Sequence, residues 1–187
     1  MMGIGDRIPD FEVDAVVKGE IKRIKLHDYR GKWMVFIFYP ADFSFVCPTE
    51  LEDAAKLYDD FRKEGAEVFS VSMDSKYAHK AWHDTSPSIG KIEYPMIADP
   101  SAKLCKAFGT CIESEGFSLR GTFIVDPEGV VKAFEMNDNS IGRNIGETLR
   151  KLRAAIYVRK NPGEVCPVNW KPGAKTLKPS DKLVGKL

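Results

Sequence analysis

An α/β fold, a mixed central sheet flanked by helices, is predicted for residues 1–160, with an extended C-terminal arm over residues 161–187. Three observations predict it. Trp33-Met34-Val35-Phe36-Ile37-Phe38-Tyr39 is a near-continuous apolar, aromatic and β-branched run, the pattern of a central strand buried on both faces. The period then changes to a helical one. From Asn161 onward neither period survives, and prolines and lysines take over (Pro162, Pro167, Pro172 and Pro179; Lys171, Lys175, Lys178, Lys182 and Lys186).

Pro40 ends the first strand, since it cannot donate to a ladder. After Cys47, the residues Leu51, Ala54, Ala55, Tyr58 and Phe61 follow helical spacing, and Gly65 closes the helix. Val68-Phe69-Ser70-Val71-Ser72-Met73 reads as the next strand, completing a βαβ unit with a right-handed crossover. Ser75 is placed to cap a short helix running through Trp82, with Pro87 beyond it, and a second short helix is expected from about Ser101 to Phe108, stopped by Gly109. Thr122-Phe123-Ile124-Val125-Asp126 and Val130-Val131-Lys132-Ala133-Phe134-Glu135 flank the turn Pro127-Glu128-Gly129, a hairpin signal. Asn144 to about Arg159 is helical, with Ile145, Leu149, Leu152 and Ile156 on one face. The order βαβ, helices, ββα is compatible with a thioredoxin-like architecture. The arm keeps the apolar side chains Trp170, Leu177, Leu183, Val184 and Leu187, which suit a segment laid along its own domain or a neighbouring chain better than a frayed tail.

Composition bounds the function. Apolar content of 43% and charged content of 29% are those of a globular protein. Twenty-eight basic against 27 acidic side chains leave no net field for nucleic acid or anionic lipid, so neither is an expected partner. The longest apolar stretch, Trp33 to Tyr39, is far too short to cross a bilayer. Met1-Met2-Gly3-Ile4-Gly5-Asp6-Arg7 lacks the basic start and apolar run of a secretory signal. The expected location is therefore the reducing cytoplasm, where disulfides are usually transient and catalytic.

Cys47 sits between the strand and the helix, just before Pro48, which suits the first helical position. Its sulfur would then lie among unpaired backbone donors at the positive end of the helix dipole. Such placement lowers a thiol pKa from about 8.5 to roughly 3.5–7.5. Intrinsic nucleophilicity falls with pKa, so a fast thiol nucleophile also needs donors aimed at the charge that develops on the leaving atom. Read by itself, Cys47 is equally compatible with a small buried hydrophobe. His79 and His83 are four apart on a predicted helix, a spacing that can chelate a metal, but no third ligand accompanies them and structural use is the better reading. No metal or cofactor site is expected.

Pro40, Ser44 and Cys47 have the Pro-x-x-x-Thr/Ser-x-x-Cys spacing of peroxiredoxins. The surrounding Phe38-Tyr39-Pro40-Ala41-Asp42-Phe43-Ser44-Phe45-Val46-Cys47-Pro48-Thr49-Glu50 resembles the alkyl hydroperoxide reductase branch of the typical two-cysteine group. The likeness extends through His79-Lys80-Ala81-Trp82-His83, Thr122-Phe123-Ile124-Val125-Asp126-Pro127 and Gly163-Glu164-Val165-Cys166-Pro167, and so spans essentially the whole chain. The resemblance implies that Cys47 is the peroxidatic cysteine and Cys166 the resolving one. It implies that Pro40 shields the thiolate, Ser44 hydrogen-bonds the peroxide, Arg120 is the active-site arginine and Glu50 orients it. Arg120 suits that role physically, being always charged and presenting its donors in a fixed fork.

The implied activity is reduction of hydrogen peroxide and organic hydroperoxides. Cys47 becomes a sulfenic acid, which Cys166 of a partner chain condenses into an inter-subunit disulfide after local unfolding. An external flavoprotein disulfide reductase or thioredoxin-type protein resets the pair. Homodimers assembling into a decameric ring are likewise implied. Ser44 departs from the commoner threonine, keeping the hydroxyl but losing a methyl. The Gly-Gly-Leu-Gly insertion and Tyr-Phe pair of hyperoxidation-sensitive relatives are absent, which implies a readily opening tail and disulfide formation that outruns overoxidation. Cys105 reads as packing beside Leu104 and Phe108, and Cys111 as a loop residue. Two competing functions are a thioredoxin-like disulfide oxidoreductase, weakened because neither Cys47 nor Cys166 has a second cysteine three positions away, and an oligomeric holdase or scaffold.

Overall fold

The structure is a computed structural model and describes residues 2–186. Its strands are β1 (Glu12–Val17), β2 (Glu20–Lys25), β3 (Trp33–Phe38), β4 (Ala66–Ser72), β5 (Met96–Ala98), β6 (Cys111–Ile112), β7 (Phe117–Ser118), β8 (Arg120–Val125) and β9 (Val131–Asn137). Its α-helices are α1 (Cys47–Lys63), α2 (Lys76–Thr85), α3 (Lys103–Phe108) and α4 (Ile145–Lys160). The main sheet has the order β2-β1-β5-β4-β3-β8-β9, and β6 pairs with β7 in a small separate hairpin. β3, β4 and β5 run parallel and the other neighbours antiparallel, so the sheet is mixed as the sequence predicts. The chain divides into two compact units, one up to Ile145 and one from Gly146 onward.

Every residue of β3 is buried, which explains its unbroken apolar run. On one face Met34, Phe36 and Phe38 join Phe69, Val71, Phe123, Val125, Leu104 and Phe108 in the core. Ring contacts of Phe36 and Phe38 with Phe108, at 5.3 and 4.9 Å between centroids, dock α3 there. The strand is central, so its carboxyl end, where Tyr39 and Pro40 follow, emerges in the middle of the sheet. That position puts Cys47 at the start of α1.

Helix starts depend on their caps. Ser75 accepts a hydrogen bond from the Ala78 amide, and α2 runs three residues past the expected end at Trp82. α3 begins at Lys103, two residues later than expected, because Ala102 is left-handed (φ +55°) and Asp99 takes the Cys105 amide. In the hairpin, Asp126 Oδ1 accepts from the amides of Glu128 and Val130, and Gly129 adopts φ +82°. A Cβ on Gly129 would fall 1.1 Å from Arg30 Nη1, which itself donates to the Glu128 carbonyl. Gly129→Ala is therefore expected to cost roughly 1–3 kcal/mol, read as a lower urea midpoint at unchanged slope.

β1, β2 and β5 carry no strong strand signal. β1 alternates acidic and apolar residues, β5 is three residues long, and β2 (Glu20-Ile21-Lys22-Arg23-Ile24-Lys25) is a charged, largely exposed edge strand. Charges blunt an edge against further pairing, and they also mask it in the sequence. Cys111, expected in a loop, lies in β6.

α4 buries Ile145, Leu149, Leu152 and Ile156, the predicted face, and all but Ile145 lie in the second unit. The arm returns along this helix. Trp170 is buried with its ring 4.9 Å from that of Tyr157, its indole N–H donates to the Ala174 carbonyl, and Arg150 donates to the Trp170 carbonyl. Val165 and Leu177 exchange backbone hydrogen bonds. Leu177 and Leu183 are half-buried, but Val184 is exposed and so does not anchor the arm within this chain. Leu187, also expected as an anchor, lies outside the described residues.

Candidate active site

Cys47 is the first residue of α1, with Pro48 second, so the helix starts one residue earlier than the proline alone suggests. Val46 precedes it in a right-handed helical conformation without a side-chain cap. The sulfur is fully buried, with 0% relative exposure. One charged group reaches it: Arg120 Nη1 lies 3.4 Å from Cys47 Sγ. Arg120 enters from the first position of β8, next to β3 in the sheet, which spans the 73 residues between the two.

The guanidinium is held on both sides. Its Nη1 also donates to Glu50 Oε2 at 2.7 Å, and its Nε donates to the Asn139 carbonyl at 3.0 Å. Glu50, one turn after Cys47, brings the carboxylate to the same pocket floor. A second arginine completes the cluster. Arg143 donates to Glu50 through its backbone amide (2.7 Å), Nε (2.9 Å) and Nη2 (2.8 Å), and through Nη1 to the Gly121 carbonyl. Burial alone would raise the Glu50 pKa, but the hydrogen bonds and charge of Arg143, with the charge of Arg120, outweigh it and hold the carboxyl below its usual value. One carboxylate thus serves two buried guanidiniums, leaving a net positive charge beside the sulfur.

Ser44 lies half-buried in the loop before α1, and its hydroxyl donates to the Ala41 carbonyl at 2.8 Å. With its hydrogen committed, the oxygen offers lone pairs, so it accepts from an incoming O–H. Pro40 is also half-buried, at the mouth of the same loop. Phe43 follows with φ +54°, an uncommon conformation for a bulky residue, and its ring lies 5.8 Å from that of Trp82. Phe45 is 93% exposed.

Five of the six residues singled out in the sequence (Pro40, Ser44, Cys47, Glu50 and Arg120) fall in the first unit, and Cys47, Glu50 and Arg120 are in direct contact. Cys166 is in the second unit, half-buried, with its sulfur 4.0 Å from the Ala154 carbonyl. Burial raises the Cys166 thiol, Arg150 counteracts and Glu164 reinforces, and the balance lies above the ordinary value. Arg143 was not legible in the sequence. It lies 93 residues from Glu50 in a Gly-Arg-Asn segment before α4, where a charged residue reads as solvated.

The remaining thiols and histidines are otherwise occupied. Cys105 packs in the core, and burial, with the charge of Asp99, pushes it up to about 12. Cys111 Sγ lies 4.0 Å from Met73 Sδ. His83 Nε2 faces the Ile92 carbonyl, while His79 is bonded through both ring nitrogens.

Comparison with known proteins identifies the family. A family model described as the AhpC/TSA family matches residues 4–134, and one for the C-terminal domain of 1-Cys peroxiredoxin matches residues 157–187. The chain is 50% identical over 184 residues to an alkyl hydroperoxide reductase C from Pseudomonas aeruginosa (strain UCBPP-PA14), covering 98% of both. It is 54% identical over 170 residues to one from Staphylococcus aureus (strain Mu50), covering 91% of this chain and 90% of that one. Among solved structures, Enterococcus faecalis AhpC is similar with a TM-score of 0.87 at 50% identity, over 89% of this chain and 100% of that one. The reduced 2-Cys peroxiredoxin of Plasmodium vivax is similar with a TM-score of 0.91 at 33% identity, over 97% and 96%. These neighbours have the thioredoxin-like fold that the order of elements suggests. The chain belongs to the AhpC/TSA family of peroxiredoxins and is a thiol-dependent peroxidase acting on hydroperoxides.

Proposed function

We propose that Cys47 is the peroxidatic thiol, Cys166 the resolving thiol, and Arg120, Glu50, Ser44 and Pro40 the groups that prepare the first step. The observation that carries this reading is the Arg120 guanidinium 3.4 Å from a wholly buried sulfur, braced by Glu50 at 2.7 Å. The Cys47 thiolate attacks one peroxide oxygen along the O–O axis. The S–O bond forms as the O–O bond breaks, and the leaving oxygen departs with the electron pair and takes up a proton as water or alcohol. Arg120 donates to the oxygens as negative charge develops, and Ser44 accepts from the peroxide hydrogen. Pro40 keeps water from the pocket. The sulfur ends as a sulfenic acid.

The Cys166 thiolate of a partner chain then attacks that sulfur, hydroxide leaves and becomes water, and an inter-subunit disulfide remains. Because Cys47 is sealed in the first turn of α1, that turn must unwind before any second thiol reaches it. An external dithiol, on a flavoprotein disulfide reductase or a thioredoxin-type protein, reduces the pair by exchange. In functional terms, residues 1–160 form the peroxidase domain and residues 161–187 the arm that delivers Cys166. Homodimers in a decameric ring belong to the same reading, and the exposed side chains of Phe43, Phe45 and Tyr77 are apolar surface that a subunit contact would cover. The same reading places the protein in the reducing cytoplasm, where disulfides are usually transient and catalytic. No described helix is long and apolar enough to cross a membrane.

Mass spectrometry after one equivalent of peroxide tests the cycle. The expected product is a cross-linked peptide pair containing Cys47 and Cys166, from two chains. Any other cysteine pair would overturn the assignment. The raised Cys166 pKa adds a kinetic signature. Only the thiolate attacks, so the resolving step should accelerate by about tenfold per pH unit below the thiol's pKa, measured by rapid quenching of the sulfenic acid.

A further inference from the structure

A buried ionisable cluster holds the loop that carries Pro40 and Ser44 and takes no part in the chemistry described above. His79 on α2 and Asp42 in the loop before α1 have side chains 0% and 1% exposed. His79 Nδ1 lies 2.7 Å from Asp42 Oδ2, and His79 Nε2 lies 3.0 Å from the Ile97 carbonyl on β5. Tyr39, at the end of β3, donates its hydroxyl to Asp42 Oδ1 at 2.7 Å. The Asp42 amide donates to Asp74 Oδ2 at 2.9 Å, and the Ser72 hydroxyl donates to the same oxygen. Asp42 is therefore tied to β3, to the link after β4 and to α2, and through His79 to β5.

The protonation state follows from the partners. A carbonyl oxygen only accepts, so Nε2 carries a hydrogen. Nδ1 faces a carboxylate oxygen at 2.7 Å, a separation that requires a proton between the two atoms. The Tyr39 hydroxyl also donates to Asp42 and favours its charged form, so the proton sits on Nδ1 and the two form an imidazolium–carboxylate pair. Without it, two lone pairs would face each other in a site closed to water.

Asp42 is two residues before Ser44 and five before Cys47. Between Asp42 and Ser44 stands Phe43, in its left-handed conformation, packed on Trp82 of α2. Such a conformation persists only where the surroundings impose it. We propose that the Asp42–His79 pair is a positioning device for the peroxide pocket, a shared proton that fixes residues 40–46 and with them Ser44 and Pro40 over Cys47. This inference rests on the reading of Cys47 as the peroxidatic thiol.

The groups facing His79 set the sign of its pH dependence. They are Asp42 from the loop, Asp74 from the link after β4, the Tyr39 ring 6.4 Å away, and the Ile97 carbonyl. Burial pulls the imidazole down, but the hydrogen bond and charge of Asp42, the Ile97 carbonyl and Asp74 together raise it above the usual 6.5. A raised value in the folded chain means that the stabilisation is complete below the unfolded pKa. It is lost as pH rises through the folded value. The closed loop should accordingly loosen at alkaline pH.

The test measures two reactions of Cys47 in the full chain by stopped flow: oxidation by hydrogen peroxide, which needs the pocket, and alkylation by iodoacetamide, which needs only access. Asp42→Asn should slow oxidation by about tenfold or more, the scale of a misplaced catalytic group, while speeding alkylation. His79→Asn keeps a donor near the Nδ1 position without a titrating ring. It should retain more of the native oxidation rate than Asp42→Asn does and lack the alkaline falling limb expected of the native chain. The proposal is overturned if both variants keep the native rate and falling limb, or if oxidation and alkylation fall in proportion, as a lost thiolate or a loss of folded protein would cause. Nitrogen NMR of the native imidazole supplies a readout that does not depend on activity or on a variant folding. Two protonated ring nitrogens on His79 at neutral pH are expected, and a neutral ring there would overturn the proposal. A native chain inert to peroxide but with this NMR signature would instead sink the peroxidatic assignment, so the two failures are distinct.

Discussion

Cys47→Ser is expected to abolish peroxide consumption, by a factor on the order of 10⁴ or more, as loss of a nucleophile does in enzymes that work through a covalent intermediate. The hydroxyl that replaces the thiol is a far weaker nucleophile near neutrality, and Arg120 cannot compensate because a hydroxyl stays un-ionised beside it. The fold should survive, since the substitution exchanges one atom at a buried position for a smaller one. Unchanged thermal unfolding would separate the chemical loss from a structural one. Cys166→Ser gives the complementary result. The first oxidation should proceed at the native rate, one equivalent of peroxide should disappear, and turnover driven by a disulfide reductant should stop. If Cys47→Ser kept its activity in a stopped-flow assay, the assignment would be wrong at its root.

Glu50→Gln should combine a large loss of stability with a large loss of rate. The carboxylate takes hydrogen bonds from Arg120 and from three nitrogens of Arg143, and all three side chains are at most 4% exposed. An amide offers one acceptor oxygen in place of two and no charge, leaving two guanidiniums buried together. Removing one member of such a buried set costs about 3–5 kcal/mol, because the remaining charge stays uncompensated. The urea midpoint should fall accordingly. Arg120 would also lose the contact that aims it at Cys47. Oxidation of the surviving folded protein should slow by about 10²–10³, the scale of losing one transition-state donor.

Acid supplies a second reading of the same residue. The Glu50 pKa is lower in the folded chain than the usual 4.5. Its contribution is therefore complete above about pH 4.5 and is lost as pH falls through the folded value. In Glu50→Gln that part of the acid dependence should vanish. Measured unfolding free energies between pH 3 and 7 would show native and variant curves converging as the pH falls.

The two variants probe parts of the site that were not equally visible in the sequence. Cys47, Pro40, Ser44 and Glu50 lie within eleven consecutive residues, so local spacing alone presents them as a unit. Arg120 was found through its phrase before a β-strand and the family likeness, not through any periodicity. Arg143 and the Asp42–His79 pair were not assigned to the site. His79 carried a metal-spacing signal with His83, yet its two ring nitrogens are taken by Asp42 and the Ile97 carbonyl. Neither partner lies on α2, so spacing along the helix gave no indication of them.

The sequence by itself determined the α/β class, the buried strand feeding a helix that opens at a thiol, and the hairpin after Val125. Those features are written in short-range patterns: apolar period, caps, glycines and prolines. Only the tertiary structure decided which charges share the pocket and which proton the loop depends on. Glu50 and Arg143 are 93 positions apart, and His79 meets Asp42 across 37. Burial gives these pairs their strength, because a charge removed from water must find its partner wherever the sheet brings one, and no local pattern along the chain records that choice.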